Sequence, residues 1–196
     1  KTKELIYIAM DGAITHMYLP GMKRHMIHGI DDLGITPGEI METLIIASTL
    51  GACAYTVGFP ILMERLHAHG YADASAELTE EQAALKEQFI ALNHYWGETL
   101  ESVLRHDGEI FEAYLDYMRA SQAKTALEPK IRELLFVAVN AAPTTLNAAE
   151  IGRHIDLALA YGATKEEMLE VFEVVCCLGI HTVLEGVPLL NEVLAR

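Results

Sequence analysis

Glu150 and His154 stand four residues apart in the stretch NAAEIGRH, a spacing that puts a carboxylate and an imidazole on one face of a helix. An imidazole with an ordinary pKa of about 6.5 can move a proton at neutral pH, and a carboxylate beside it sets its tautomer and orientation. Arg153 adjoins His154, and Arg24 and Lys23 adjoin His25. These cations could hold the carboxylate of an anionic substrate. Glu133 and Glu4 sit early in otherwise apolar segments, each followed on the same helical face by Asn140 or Asp11. Such a carboxylate either favours a helix N-terminus or enters a pocket. His25 and His28 are three residues apart, and His16 precedes them by less than three turns. Imidazoles one turn apart can share an ion, so a metal-dependent enzyme built on His16, His25 and His28 is an alternative. The leading reading assigns no metal and no cofactor.

The chain that must position these groups has 196 residues, 52% of them apolar, enough for a sizeable core. Its formal net charge of −14 disfavours a surface that neutralises phosphates or anionic lipid, so neither nucleic acid nor membrane is an expected partner. No uninterrupted apolar run nears the ~20 residues of a membrane span, and no basic-then-apolar leader precedes the first helix. A cytoplasmic protein is expected. The cysteines are Cys53 and the neighbours Cys176 and Cys177, without a Cys-x-x-Cys arrangement; they read as small buried hydrophobes on packed helices.

Residues 1–66 and 130–194 align with a one-residue shift. KTKELIYIAMDGAIT lies over KIRELLFVAVNAAPT, Arg24 and His25 fall on Arg153 and His154, and GITPGEIMETLIIASTLG falls on GATKEEMLEVFEVVCCLG. Each copy reads as helices. Pro129 suits a first helical turn, Gly162 a helix end, and Thr164 with Glu167, like Thr36 with Glu39, a capping box. The small, polar HAHGYADASAEL reads as a linker that takes in His67 and His69, and Trp96 reads as core. The expected fold is all-α with two tandem helical repeats. The first is 1–66, a linker covers 67–84, and 85–196 holds connecting helices plus the second repeat, with its core at 130–194.

The order LEPKIRELLFVAVNAA, then EIGRH, then LALAYGATKEEMLEV resembles the carboxymuconolactone decarboxylase family, which also contains the alkylhydroperoxidase D-like thiol peroxidases. The peroxidase branch resembles Glu…Cys-x-x-Cys-x-x-x-His. Here Asn147 and Glu150 stand at the cysteine positions before His154, and Tyr18 and Gly21 before His25. Thiol exchange requires two thiols in reach, which excludes that mechanism. Glu-x-x-x-His resembles instead the cysteine-free γ-carboxymuconolactone decarboxylases. The family's Gly-x-Pro appears as Gly179-Ile180-His181 and Gly51-Ala52-Cys53, so the pocket wall differs. The resemblance implies a cofactor-independent decarboxylase or isomerase of aromatic catabolism, acting on a small carboxylated lactone or related carbonyl acid. It makes His154 and His25 the expected proton-transfer groups, with Glu150, Glu133 and Glu4 orienting or polarising. Arg153, Arg24, Lys23, His16, Tyr18 and His181 are the expected substrate contacts. The alternative from another class is a non-catalytic or ligand-binding scaffold. Single-repeat relatives resemble hexameric rings, so a two-repeat chain is expected to form a homotrimer.

Overall fold

A computed structural model describes residues 1–72, 77–123 and 125–196; residues 73–76 of the expected linker lie outside the described residues. The described residues are helical, with no strand among them. They form two compact units, one of residues 1–50 with 126–196 and the other of residues 51–125. By this division residues 51–66, placed above with the first repeat, lie in the second unit.

The first unit holds α1 (Thr2–Gly12), α2 (Leu19–Leu33), α3 (Pro37–Ser48), α9 (Pro129–Ala141), α10 (Ala148–Ala160), α11 (Lys165–Cys176) and α12 (Ile180–Leu194). Leu5, Ile8 and Ala9 of α1 and Leu135, Val137, Ala138 and Val139 of α9 are wholly buried, making these two helices the centre of the core. Truncating Leu135 to Ala there would cost about 2–5 kcal/mol. Start and stop signals are the same in the stretches that align. Thr36 with Glu39 and Thr164 with Glu167 form capping boxes, and Gly34 and Gly162 adopt positive φ at or just past the ends of α2 and α10. Met17 and Leu146 also take positive φ, in the turns that lead into α2 and α10. The backbone N–H of Tyr18 bonds to Asp11 O, as that of Asn147 does to Asn140 O. Thr15 and Thr144, aligned with each other, touch through their hydroxyls at 2.7 Å.

Glu42 on α3 is buried, and its carboxylate is fully used. It accepts from the backbone N–H groups of Ala126 and Leu127 at 2.8 and 2.9 Å and from Arg132 Nε at 2.8 Å. A buried charge held by that many donors is tolerable where an unpaired one is not.

The second unit holds α4 (Cys53–Thr56), α5 (Gly58–Ala68), α6 (Glu80–Asn93), α7 (Glu98–His106) and α8 (Gly108–Gln122). Phe59, Phe89, Leu100, Leu104, Phe111 and Leu115 form its core. Trp96 packs edge-on against Phe89 and Phe111 while its Nε1–H donates to Glu101, so the expected core position is half-buried with a polar exit. His67 belongs to α5, not to a linker.

Two expectations are corrected. Cys176 and Cys177 are exposed because α11 turns Val171, Val174 and Val175 inward and leaves the cysteines that follow on the open side; Cys53, on α4, is half-buried. Two helical stretches, Pro37–Ala68 and Lys165–Leu194, are long and apolar enough to cross a membrane, since helix continuity joins apolar segments that sparse polar residues separate in the sequence. None of α12 is buried; Val183, Leu184, Val187, Leu190 and Val193 all lie open on it.

Candidate active site

His154 lies on α10 nearly two turns past its start, where Asn147 caps the helix by accepting from Glu150 N–H. Its ring stacks on Phe136 of α9 with centroids 4.3 Å apart. Nδ1–H donates to Glu133 Oε2 at 2.6 Å, and Arg153 Nη2 donates to Nε2 at 2.7 Å. The neutral ring therefore carries its proton on Nδ1. Arg153 also donates to Glu150 Oε2, at 2.6 Å from Nη2 and 3.1 Å from Nε, and this oxygen is 3.5 Å from His154 Nε2. Burial opposes ionisation of Glu150, but His154 and Arg153 outweigh it and lower its pKa to about 2. Four predicted residues, His154, Glu133, Glu150 and Arg153, thus form one network. The orienting carboxylate is Glu133; Glu150 serves chiefly as the partner of Arg153.

His25 on α2 repeats the first half of this arrangement. Its ring stacks on Tyr7 of α1 at 4.6 Å, and Nδ1–H donates to Glu4 Oε2 at 2.7 Å. Among the described residues no arginine bonds to its Nε2. It faces Asp11 Oδ2 at 3.9 Å, much as His154 Nε2 faces Glu150. In both halves a second carboxylate looks at the Nε2 nitrogen, but a different helix supplies it. In the second half it comes from α10, with Asn140 on α9. In the first it comes from Asp11 on α1, with Gly21 on α2 where Glu150 aligns.

Asp11 lies buried behind His16 and His181, which with Thr15, Tyr18, Thr182 and Glu185 among others line a cleft of about 390 Å³. His16 Nε2 and His181 Nδ1 are 2.8 Å apart, and the Tyr18 ring lies 4.4 Å from that of His181. Tyr18 donates its hydroxyl proton to Glu185 Oε1 at 2.8 Å, which pushes the phenol pKa up. Burial pushes the Asp11 carboxyl above its ordinary value, against the pull of His181, His25, His16 and Arg24.

The predicted contacts His16, Tyr18 and His181 are therefore together in one cleft. Arg24 is exposed but near enough to act on Asp11 and Tyr18, whereas Lys23 is simply exposed. The histidine trio does not form: His16 lines the cleft but His25 and His28 do not, and His28, half-exposed, is taken by Asp32 at 2.7 Å. Asp11 and Glu185 were not singled out as site residues. An acid in the last turn of an apolar helix, aligned with an asparagine, was the available sign for Asp11. Glu185 had none, since its place depends on how α12 returns to the turn before α2.

The carboxymuconolactone decarboxylase family model matches residues 108–189, a span that holds Glu133, Glu150, Arg153, His154 and His181. A crystal structure assigned as a gamma-carboxymuconolactone decarboxylase subunit from Burkholderia xenovorans LB400 is 36% identical, with a TM-score of 0.91. The alignment covers all of this chain and 78% of that one. Comparison with curated proteins gave no match. Identity of this size over the whole length, on the same all-α fold, establishes that the chain belongs to the carboxymuconolactone decarboxylase family.

Proposed function

We propose that the protein is a carboxy-lyase acting on a small carboxylated lactone or related carbonyl acid, and that substrate binds in the cleft beside Asp11. In this reaction the bond to the departing carboxylate breaks and its electron pair moves into the conjugated carbonyl. A proton is then delivered to carbon, so oxidation state and atoms balance without an organic cofactor. The observation that carries the reading is the histidine held by a carboxylate through Nδ1, with Nε2 left for proton transfer. Among the described residues, no hydrogen bond reaches His25 Nε2, whereas Arg153 occupies the corresponding atom of His154.

His25 is accordingly the favoured proton-transfer group and Glu4 its orienting carboxylate; His25 does not line the cleft, so its use requires the substrate to reach past Asp11, which His25 Nε2 faces at 3.9 Å. His16, Tyr18 and His181 would contact the substrate, with Arg24, and more remotely Lys23, drawing an anion toward a chain of net negative charge. His154, Glu133, Glu150 and Arg153 form a second station whose use requires Arg153 to swing away from the ring. A homotrimer, which the uncovered apolar side chains of α12 support, and a cytoplasmic location complete the reading.

The direct test supplies freshly generated γ-carboxymuconolactone and follows its ultraviolet absorbance together with CO2 release. Turnover that is lost in His25→Ala, in protein that keeps its helical circular dichroism, supports the reading. Absence of turnover with this lactone and with related carbonyl acids would favour the ligand-binding scaffold.

A further inference from the structure

Asp11 is 1% exposed, and neither carboxylate oxygen has a hydrogen-bond partner among the described residues. A carboxylate withdrawn from water without donors holds either a proton or a cation. The groups facing it are imidazoles. His16 Nε2 lies 3.7 Å and His181 Nδ1 3.8 Å from Oδ1, and those two nitrogens are 2.8 Å from each other. Two nitrogens that close can share only one proton between them, so a lone pair is present at the spot where the carboxylate lacks a partner.

The three separations bracket the ~3.3 Å between donors that tetrahedral coordination with bonds of about 2.0–2.1 Å requires. The point equidistant from the three atoms lies about 2.0 Å from each, a metal-ligand bond length. We propose that Asp11, His16 and His181 bind one divalent first-row transition-metal ion, with its remaining positions open to the cleft. Two imidazoles and a carboxylate are borderline ligands suited to zinc or ferrous iron. His25 stands outside the set, its Nδ1 committed to Glu4 and its Nε2 nearer the other Asp11 oxygen. Gly21 makes the arrangement feasible, because any larger residue would occupy the space of the Asp11 carboxylate. The second half offers no equivalent: Asn140 and Thr145 align with Asp11 and His16, so one ion per chain is expected.

This inference does not depend on the decarboxylase reading, because its readout is binding and not turnover. The test takes the full chain without a polyhistidine tag, strips it with chelator and titrates it with zinc by calorimetry. Cobalt(II) absorption reports the ligand field in parallel. One zinc per chain is expected, with cobalt bands typical of low coordination number. Asp11→Asn and His181→Ala should each weaken binding ~100-fold or more, and His28→Ala should leave it unchanged. Asn140 fills the aligned place in the second half, so an amide at position 11 suits the fold, and circular dichroism checks that it does. Absence of stoichiometric binding, or equal binding by wild type, Asp11→Asn and His181→Ala, would overturn the proposal and leave Asp11 as a protonated buried acid.

Discussion

Gly21 leaves the space that Asp11 fills: a carbon attached at Gly21 would stand 2.3 Å from Asp11 Oδ2 and 2.4 Å from the ring of Tyr18. Gly21→Ala gains helix propensity worth about 1 kcal/mol, yet must displace a buried carboxylate and a packed ring, which costs about 1–3 kcal/mol. The urea midpoint should therefore fall instead of rising, the opposite of a glycine-to-alanine change in an open helix. A rise would mean that Asp11 and Tyr18 yield easily and that the cleft is less fixed than its geometry implies.

Glu150 is held at about pKa 2, against an ordinary value of 4.5. Its folded value is lowered, so its stabilising contribution is complete above about pH 4.5 and disappears as pH falls toward 2. That contribution is on the order of 2–3 kcal/mol for a partly buried carboxylate. Glu150→Gln should be less stable than wild type at pH 7, and the two stability curves should converge below pH 3 or thereabouts. Parallel curves from pH 7 to 2 would show that the carboxylate is not ion-paired in solution.

His25 and His154 should separate when each is changed to alanine. Removing His25, whose side chain is 19% exposed, leaves Glu4 without its partner; it is expected to lower kcat by about 10²–10⁴, with a smaller fall in thermal midpoint than His154→Ala because its surroundings are less deeply buried. Removing His154 strands the buried Glu133 carboxylate, which costs about 1–3 kcal/mol, and its effect on kcat should be the smaller one. Melting curves and steady-state rates on both variants decide this; equal kcat losses would mean that both stations turn over.

Glu42 is a matter of folding alone. Glu42→Ala abandons two backbone N–H groups and the guanidinium of Arg132, and should destabilise by about 3–5 kcal/mol, read from chemical denaturation. A loss under 1 kcal/mol would show that water replaces the carboxylate without penalty.

Much of the architecture was legible in the sequence because its signals are local. Thr36, Thr164, Gly34 and Gly162 mark helix ends through their own backbone chemistry, and the apolar runs around Leu5 and Leu135 could only be core. Glu4 and Glu133 stood out as carboxylates early in apolar helices, but the partner the spacing offered for His154 was Glu150; the bonds of His25 to Glu4 and His154 to Glu133 come from two helices lying side by side, which helix spacing does not encode. His181 and Glu185 meet Asp11 and Tyr18 across more than 160 residues, and no spacing rule encodes that contact. The histidine trio failed for a converse reason: His25 and His28 are neighbours along the helix, but each is taken by its own carboxylate, Glu4 and Asp32. The exposure of Cys176 and Cys177 was hidden because an apolar helix end looks the same in sequence whether or not the chain covers it.

α12 has two duties on one rod. His181 and Glu185, in its first two turns, form a wall of the cleft, while its aliphatic side chains have no cover from the chain that made them. Whatever seats those aliphatic groups also steadies that wall. Dilution should then lower specific activity before it lowers helix content, and an assay at nanomolar enzyme would understate a rate that micromolar enzyme sustains.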